Sequence, residues 1–304
     1  MKIYCAIQLS QREKDYLNQN IGKHTICFQQ DIPNYQIDNF LQAEICFGNV
    51  PRAWVEQSEN LKWLQLESVG FDAYLALNKP KVMITNLKGF FSVPVAESAV
   101  SGILSLLRGI NLLTSLKEQK KWEGAAMRSS LRTLEGSEVL ILGAGAIGLQ
   151  LKKLLTAFNC RVSFFDKYSS QAQYVLVDDL VKAIPGADII IGCLPESPET
   201  IHLMDKERLS LVKPTAIIVN VGRGSLIDED ALAHKLTNGS IAGAVLDVTT
   251  KEPLPADHPL WNCPNTVLSQ HTAGGYEEEI IGKVNIFLKN LERYTKAEPL
   301  KDLI

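Results

Sequence analysis

The sequence lacks the features that mark membrane and nucleic-acid-binding proteins. Its most apolar helical stretch, residues 91–117, contains Glu97 and Arg108 with only ten residues between them, whereas a span needs about 20. Basic and acidic residues are nearly balanced, at 31 against 34, and no basic arm or acidic tail is present. We therefore expect neither a membrane nor a nucleic acid as partner.

Cysteine pairs and several enzyme motifs are also missing. The six cysteines are scattered, without a CxxC or a Cys/His spacing typical of metal ligands, which predicts no metal site and favours a reducing compartment. The first residues, MKIYCAIQLSQREKDY, carry neither a long apolar leader nor an Arg-rich one, so we expect a cytoplasmic protein. No GxSxG, HExxH or GxxxxGKS is found, and the corresponding hydrolase, zinc protease and P-loop templates are excluded.

The 304 residues, of which 46% are hydrophobic and 21% charged, predict a protein of two domains. Short apolar runs alternate with helix-compatible segments, the pattern of parallel α/β sheets. In the first ninety residues the runs are 3–7, 25–28, 43–47, 61–66 and 82–85. After about Thr133 they are 139–142, 161–165, 187–192, 216–221, 242–248 and 266–269. The predicted fold class is α/β, with two doubly wound parallel-sheet domains.

Residues 91–117 predict one long helix from about Pro94 to Lys117. Apolar residues dominate nearly all of its faces, which is typical of a helix buried between domains or subunits. Gly102 and Gly109 would permit close helix contacts, so we expect this helix to form a homodimer interface.

The segment VLILGAGAIG, residues 139–148, predicts a strand, a tight turn and a helix. Gly143 can adopt the positive φ of the turn, Gly145 lets a pyrophosphate approach the backbone, and Gly148 allows the helix to pack on the strand. The free N–H groups of the helix would bind the anion. This motif alone is weak evidence, because glycine-rich turns also serve packing or other ligands.

A second apolar run ends at Asp166, which lies 166 − 143 = 23 residues beyond Gly143. This spacing suits the acid that binds a ribose hydroxyl of a dinucleotide. The alternative is a carboxylate that only caps a helix or a turn.

Arg223, Glu252 and His271 each follow a predicted strand of the second sheet. Because parallel strands end at one edge, the three side chains should converge beside the glycine turn. Arg223 could grip the carboxylate of a 2-oxo acid, His271 could donate a proton, and Glu252 could orient the imidazole. The alternatives are a salt bridge at a helix end for Arg223, a solvated charge for Glu252 and a hydrogen-bonded structural histidine for His271.

With these residues the chain resembles the D-2-hydroxyacid dehydrogenase family, and among its members it is similar to glyoxylate/hydroxypyruvate reductases. The segments that carry the resemblance are VLILGAGAIG, VNVGRGSLIDEDAL, GAVLDVTTKEPLPADHPLW and QHTAGG, together with ESVGFD and NLKGFFSVPVAESA nearer the N-terminus. The resemblance implies a flavodoxin-like substrate domain of residues 1–93 and 275–304. A Rossmann NAD-binding domain, 94–274, would be inserted in it.

The resemblance also implies roles for individual residues. Arg223, Glu252 and His271 would be catalytic, with Arg223 binding substrate, Glu252 as partner carboxylate and His271 as acid/base. The substrate-binding residues would be Val69, Gly70, Arg223 and His271. The cofactor-binding residues would be Gly143, Gly145, Ala146, Ile147, Gly148, Asp166, Lys167, Leu194, Pro195, Val221, Gly222, Arg223, Asp247, His271 and Ala273.

Three residues depart from the family pattern: Ser98 replaces a frequent His, Thr249 a frequent aromatic, and Gln270 a common proline. Asp166 would repel the 2′-phosphate of NADP, which Lys167 could only partly offset. The sequence therefore predicts an NAD-dependent dehydrogenase that interconverts a small D-2-hydroxy acid and its 2-oxo acid. The alternatives are a D-3-phosphoglycerate dehydrogenase, and a catalytically quiet, NAD-sensing scaffold like the corepressors that resemble this family.

Overall fold

The computed structural model describes residues 1–32 and 37–304, which divide into two compact units. The first unit comprises Met1–Phe91 and Tyr276–Ile304, and the second comprises Ser92–Gly275. The strands are β1 (Lys2–Cys5), β2 (Thr25–Phe28), β3 (Ile45–Phe47), β4 (Trp63–Gln65), β5 (Met83–Thr85), β6 (Glu138–Leu142), β7 (Arg161–Phe165), β8 (Ile189–Gly192), β9 (Ile217–Asn220), β10 (Gly243–Leu246) and β11 (Thr266–Leu268). The α-helices are α1 (Gln11–Asn20), α2 (Asp38–Leu41), α3 (Arg52–Gln57), α4 (Ser92–Leu107), α5 (Ile110–Glu118), α6 (Gly124–Met127), α7 (Ala146–Ala157), α8 (Val177–Ala183), α9 (Lys206–Ser210), α10 (Glu229–Thr237) and α11 (Glu279–Thr295).

The first unit is built on a five-stranded parallel sheet in the order β2-β1-β3-β4-β5, which is the flavodoxin-like order. Aromatic contacts attach the C-terminal helix α11 to this sheet, because the ring of Phe287 stacks on Phe47 at 4.3 Å and on Trp63 at 5.4 Å between centroids. On the other face Tyr4 meets Phe40 edge to face at 5.5 Å. Burial of these rings joins the two separate chain segments into one unit.

The second unit is built on a six-stranded parallel sheet in the order β11-β10-β9-β8-β6-β7. A further parallel bridge joins Phe165 to Tyr174 beyond β7. The central strands β8 and β9 read IIIG and IIVN and are buried along their whole length, as expected for strands covered on both faces. The strand order reverses between β6 and β8, so the ligand crevice of this fold class is expected at their carboxyl ends.

These two sheets confirm the predicted fold class, and the strands lie where the apolar runs placed them. The predicted helix from Pro94 to Lys117 is wrong. The structure has two helices there, α4 and α5, which are bent by 68° at Arg108–Gly109. Gly109 adopts a left-handed φ of 65° that ends the first helix.

Gly102 also differs from expectation, because it faces the sheet of its own unit. A Cβ at this position would lie 2.4 Å from Val245 Cγ1, so the absent side chain serves contact between α4 and β10 rather than contact with another helix. Within the described residues, no single helix is long and apolar enough to span a membrane. The bent pair α4 and α5 together reaches the length and the apolar composition of a span.

Candidate active site

The glycine turn connects β6 to the twelve-residue helix α7. Gly143 has a φ of 116°, which side chains disfavour. A Cβ on Gly148 would lie 2.1 Å from the carbonyl oxygen of Gly143, so the helix can approach the turn only because residue 148 is glycine. These two glycines fix the path of the chain into the helix.

The N-terminus of α7 is suited to bind an anion. Gly145 and Ala146 are exposed, and no side chain caps the first N–H groups of the helix. A Cβ at Gly145 would meet nothing within 4 Å, which leaves open space over the backbone. Uncapped N–H groups, the helix dipole and this open approach fit the pyrophosphate of a dinucleotide. Ile147 lies in the same first turn.

The chain after β8 packs against the glycine turn. Cys193 Sγ lies 3.2 Å from the Gly143 carbonyl oxygen, and burial raises the pKa of this thiol to about 12, with a smaller contribution from the Asp166 charge. Cys193 is therefore a neutral hydrogen-bond donor. The turn after β9 lies against the same loop, because a Cβ on Gly222 would come 2.7 Å from the Leu194 carbonyl oxygen. Pro195 and Val221 border these contacts.

Asp166 stands at the end of β7, and backbone N–H groups occupy both of its carboxylate oxygens. Ala144 N–H donates to Oδ2 at 2.8 Å, and the N–H groups of Tyr168 and Ser169 donate to Oδ1 at 2.9 and 3.0 Å. Asp166 therefore ties the glycine turn to the turn after β7, which is the capping alternative that the sequence left open. Its binding to a ribose stays a prediction.

Arg223 is carried by a turn that a buried asparagine organises. Asn220, which ends β9 and is 1% exposed, donates its side-chain N–H to the Arg223 carbonyl at 2.9 Å and accepts from Gly222 N–H at 3.2 Å. The guanidinium donates to the Gly222 carbonyl at 2.8 Å. Asn220 is a polar residue at the end of an apolar strand, and this signal could have revealed its role, which the sequence analysis missed.

Glu252 and His271 are directly paired. Glu252 Oε2 lies 2.6 Å from His271 Nδ1, and Glu252 Oε1 accepts from Thr249 N–H at 3.1 Å. The two carboxylate oxygens thus connect the loop after β10 with the residue that follows β11. The side chains remain 38% and 57% exposed, so the far edge of the imidazole is accessible.

The backbone that carries His271 is strained. Gln270 and His271 have φ values of 53° and 58°, and left-handed backbone costs a non-glycine residue roughly 1 kcal/mol. Proline is locked near a φ of about −65°, so the proline common in the family at this position is incompatible with the observed turn. The left-handed φ at residue 270 therefore explains why glutamine rather than proline occupies this position.

Asp247 compensates for this strain. Its buried carboxylate, in a residue 6% exposed, accepts hydrogen bonds from Ser269 Oγ at 2.8 Å and from the N–H groups of Thr272 and Ala273 at 3.0 Å. The Asp247 carbonyl accepts from His271 N–H at 2.6 Å. Asp247 thus holds the turn that carries His271, and its predicted part in binding the cofactor stays a prediction.

Arg223, Glu252 and His271 line one cavity of about 200 Å³ at the carboxyl edge of the second sheet. This volume is below the range of about 300–1,000 Å³ typical of sites for drug-sized ligands and suits a small acid. Glu196 and Ser225 also line the cavity, and the sequence reading missed both. Among the described residues no group of three or more His, Cys, Asp and Glu could hold a metal ion.

The remaining predicted site residues, Val69, Gly70, Lys167 and Ala273, lie in the loops after β4, β7 and β11. Val69 and Gly70 follow β4 in the first unit, where Asn86 donates to the Val69 carbonyl at 2.8 Å and Ser68 to the Gly70 carbonyl at 2.7 Å. Their role in substrate binding stays a prediction. In the second unit, Ser98 donates to the Ala273 carbonyl at 3.2 Å, so the family departure at Ser98 supports the turn beyond His271.

Known proteins resemble this chain over most of its length. The family model described as D-isomer specific 2-hydroxyacid dehydrogenase, NAD binding domain, matches residues 100–273. A glyoxylate reductase of Thermofilum pendens is 31% identical over 80% of this chain and 75% of its own length. A D-3-phosphoglycerate dehydrogenase of Methanocaldococcus jannaschii is 30% identical over 84% of this chain but only 49% of its own length. The crystal structure of a D-isomer specific 2-hydroxyacid dehydrogenase family protein from Aeromonas salmonicida superposes with a TM-score of 0.87 at 27% identity, covering 100% of this chain and 98% of that one.

The hydrogen bonds of Asp247 predict that this residue stabilises the turn that carries His271. Asp247→Ala leaves the N–H groups of Thr272 and of the buried Ala273 without their acceptor, which should lower the free energy of unfolding by about 1–3 kcal/mol. Hydrogen exchange in the peptide covering residues 269–275 should become faster. Asp257→Ala, at an exposed position in a nearby loop, is the control. Unchanged exchange in the Asp247 variant would contradict this role.

Proposed function

The chain belongs to the D-isomer specific 2-hydroxyacid dehydrogenase family, and on that basis we propose that it reduces a small 2-oxo acid to the D-2-hydroxy acid with NADH. One observation carries the proposal: Arg223 and the Glu252–His271 pair line the same small cavity. This cavity lies at the sheet edge that also bears the glycine turn. A grip for a carboxylate and a source of a proton are what carbonyl reduction requires.

Each side chain has one task in this scheme. Arg223 binds the substrate carboxylate with its planar fork of donors, which also orients the adjacent carbonyl. Glu252 holds His271 through Nδ1 at 2.6 Å, so Nε2 is the nitrogen left to donate a proton to the carbonyl oxygen. A bound NADH supplies the hydride to the carbonyl carbon. In the reverse direction His271 Nε2 accepts the proton of the hydroxyl group.

His271→Ala tests the proton donor. Loss of a positioned acid should lower kcat by about 10²–10⁴-fold, while NADH binding, measured by fluorescence titration, is retained. The assay follows NADH oxidation with glyoxylate, hydroxypyruvate, pyruvate, and branched and aromatic 2-oxo acids. His234→Ala, on the exposed face of α10, is the control. Absence of turnover by the unaltered protein across the whole panel would instead favour the NAD-sensing scaffold.

We further propose a preference for NAD over NADP. The Asp166 carboxylate at the end of β7 would repel a 2′-phosphate. Lys167, the nearest candidate cation in sequence, is 2.6 Å from Glu199, and this hydrogen bond raises the pKa of the lysine. Glu199 therefore adds a second negative charge and engages the group that could otherwise bind the phosphate.

Glu199→Gln tests this arrangement without disturbing Asp166, whose replacement would also release the glycine turn. Freeing Lys167 should raise kcat/KM for NADPH relative to NADH by about threefold to tenfold, the range of a solvent-exposed charge. Glu207→Gln on the exposed face of α9 serves as control. A wild-type protein that uses NADPH about tenfold better than NADH would contradict the proposed preference.

We also propose that the protein is a cytoplasmic homodimer. Helix α5 leaves Ile110, Leu112 and Leu113 exposed at 52%, 49% and 38%, and grouped apolar residues on a surface favour an interface. All six cysteines are free thiols, in keeping with a reducing compartment. Light scattering should give a mass near twice 33.7 kDa, and a stable monomer would contradict the dimer.

A further inference from the structure

The cavity that contains Arg223 and His271 is lined by a second glutamate, Glu196, in addition to Glu252. Glu196 lies in the loop after β8, between Pro195 and Pro198, and lines the same cavity of about 200 Å³. Glu196 is exposed, and one of its carboxylate oxygens is bonded to the protein, because Ser225 Oγ donates a hydrogen bond of 2.5 Å to Glu196 Oε2. Glu196 is not needed for the proton or hydride step, so its presence calls for another role.

The turn to which Glu196 is hydrogen-bonded packs tightly against its neighbouring loop. Ser225 stands two residues after Arg223, and a Cβ on the intervening Gly224 would lie 2.0 Å from the backbone of Thr249. The turn that carries Arg223 and Ser225 therefore packs closely on the loop after β10. Through its bond to Ser225, the Glu196 carboxylate is held beside the turn that bears the substrate-binding arginine.

The cavity is lined by one positively charged side chain, Arg223, and by the carboxylates of Glu196 and Glu252. Arg223 is the cation that matches the carboxylate of a 2-oxo acid, and Glu252 is already engaged by His271 and Thr249. Among residues 1–32 and 37–304, no cation forms a hydrogen bond with Glu196, whose bond comes from the neutral hydroxyl of Ser225. A substrate side chain that extends from the 2-oxo acid group toward Glu196 would therefore meet a negative charge.

We propose that Glu196 is a specificity-determining residue, which favours 2-oxo acids with a positively charged side chain and disfavours those with a second negative charge. This inference rests on the proposed function, because it concerns the substrate of the same site. Two unit charges about 5 Å apart at a partly hydrated site interact strongly enough to change an equilibrium about tenfold. A phosphate or second carboxylate on the substrate should therefore be rejected by at least this factor.

The test compares two substrates of nearly equal size that differ in charge. They are 5-guanidino-2-oxopentanoate, which is cationic, and 5-ureido-2-oxopentanoate, which is neutral. 2-Oxoadipate adds the anionic case, and NADH is the reductant throughout. The readout is the ratio of kcat/KM values for two substrates on one enzyme preparation, so a variant that is partly inactive still gives a valid ratio.

The wild-type protein should prefer the guanidino acid over the ureido acid by about tenfold. Glu196→Gln, which keeps the hydrogen bond from Ser225 and removes the charge, should bring that ratio close to one and improve use of 2-oxoadipate. Glu196→Asp keeps the charge and should retain the preference. Glu207→Gln, outside the cavity, should leave every ratio unchanged.

The outcomes separate this inference from the proposed function. If glyoxylate or hydroxypyruvate is reduced but the guanidino acid is not preferred, Glu196 does not select a cation and the inference is wrong while the function stands. The same holds if Glu196→Gln leaves the ratio unaltered, or if neither of the two longer acids is reduced. If no 2-oxo acid is reduced, the proposed function itself fails.

Discussion

All six strands of the second sheet run parallel, and this constraint brings the predicted site residues to one edge of the sheet. Each strand ends at the same edge, so the glycine turn, Cys193, Arg223, Glu252 and His271 follow neighbouring strands although up to 128 residues separate them in the chain. The reversal of strand order between β6 and β8 opens the crevice beside the helix N-terminus. A sheet with antiparallel strands would place alternate loops at opposite edges.

The common sheet edge brings the loops together but does not set their conformations. Buried polar side chains do so through hydrogen bonds to the backbone of each loop. Asn220 holds the turn of Arg223, and Asp247 holds the left-handed turn of His271. Both are almost completely buried, where an unmade hydrogen bond is costly, so each turn has one well-defined shape. Asp166 acts in the same way on the glycine turn. The positions of Arg223 and His271 therefore depend on Asn220 and Asp247, which hydrogen-bond to the backbone of their turns.

The sequence was sufficient to predict the fold class and the convergence of Arg223, Glu252 and His271 at one sheet edge, because both follow local patterns. The chemical roles of the three residues stay predictions. Apolar runs mark strands, and Arg223, Glu252 and His271 each come just after one. The bend at Gly109 was missed because apolar residues continue on both sides of it, and the left-handed φ of that glycine leaves no trace in the pattern of apolar residues. Glu196 and Ser225 meet across 29 residues, and no spacing rule connects a hydroxyl and a carboxylate at such a separation.

We propose that the glycine turn, Arg223 and the Glu252–His271 pair form one site for hydride and proton transfer to a 2-oxo acid. Isotope transfer with product chirality tests this most directly, using NADH deuterated at C4 of the nicotinamide and chiral chromatography of the product. The expected product is a D-2-hydroxy acid that carries deuterium at C2. An L product, or a reduced product without deuterium from either C4-labelled form of the cofactor, would contradict it.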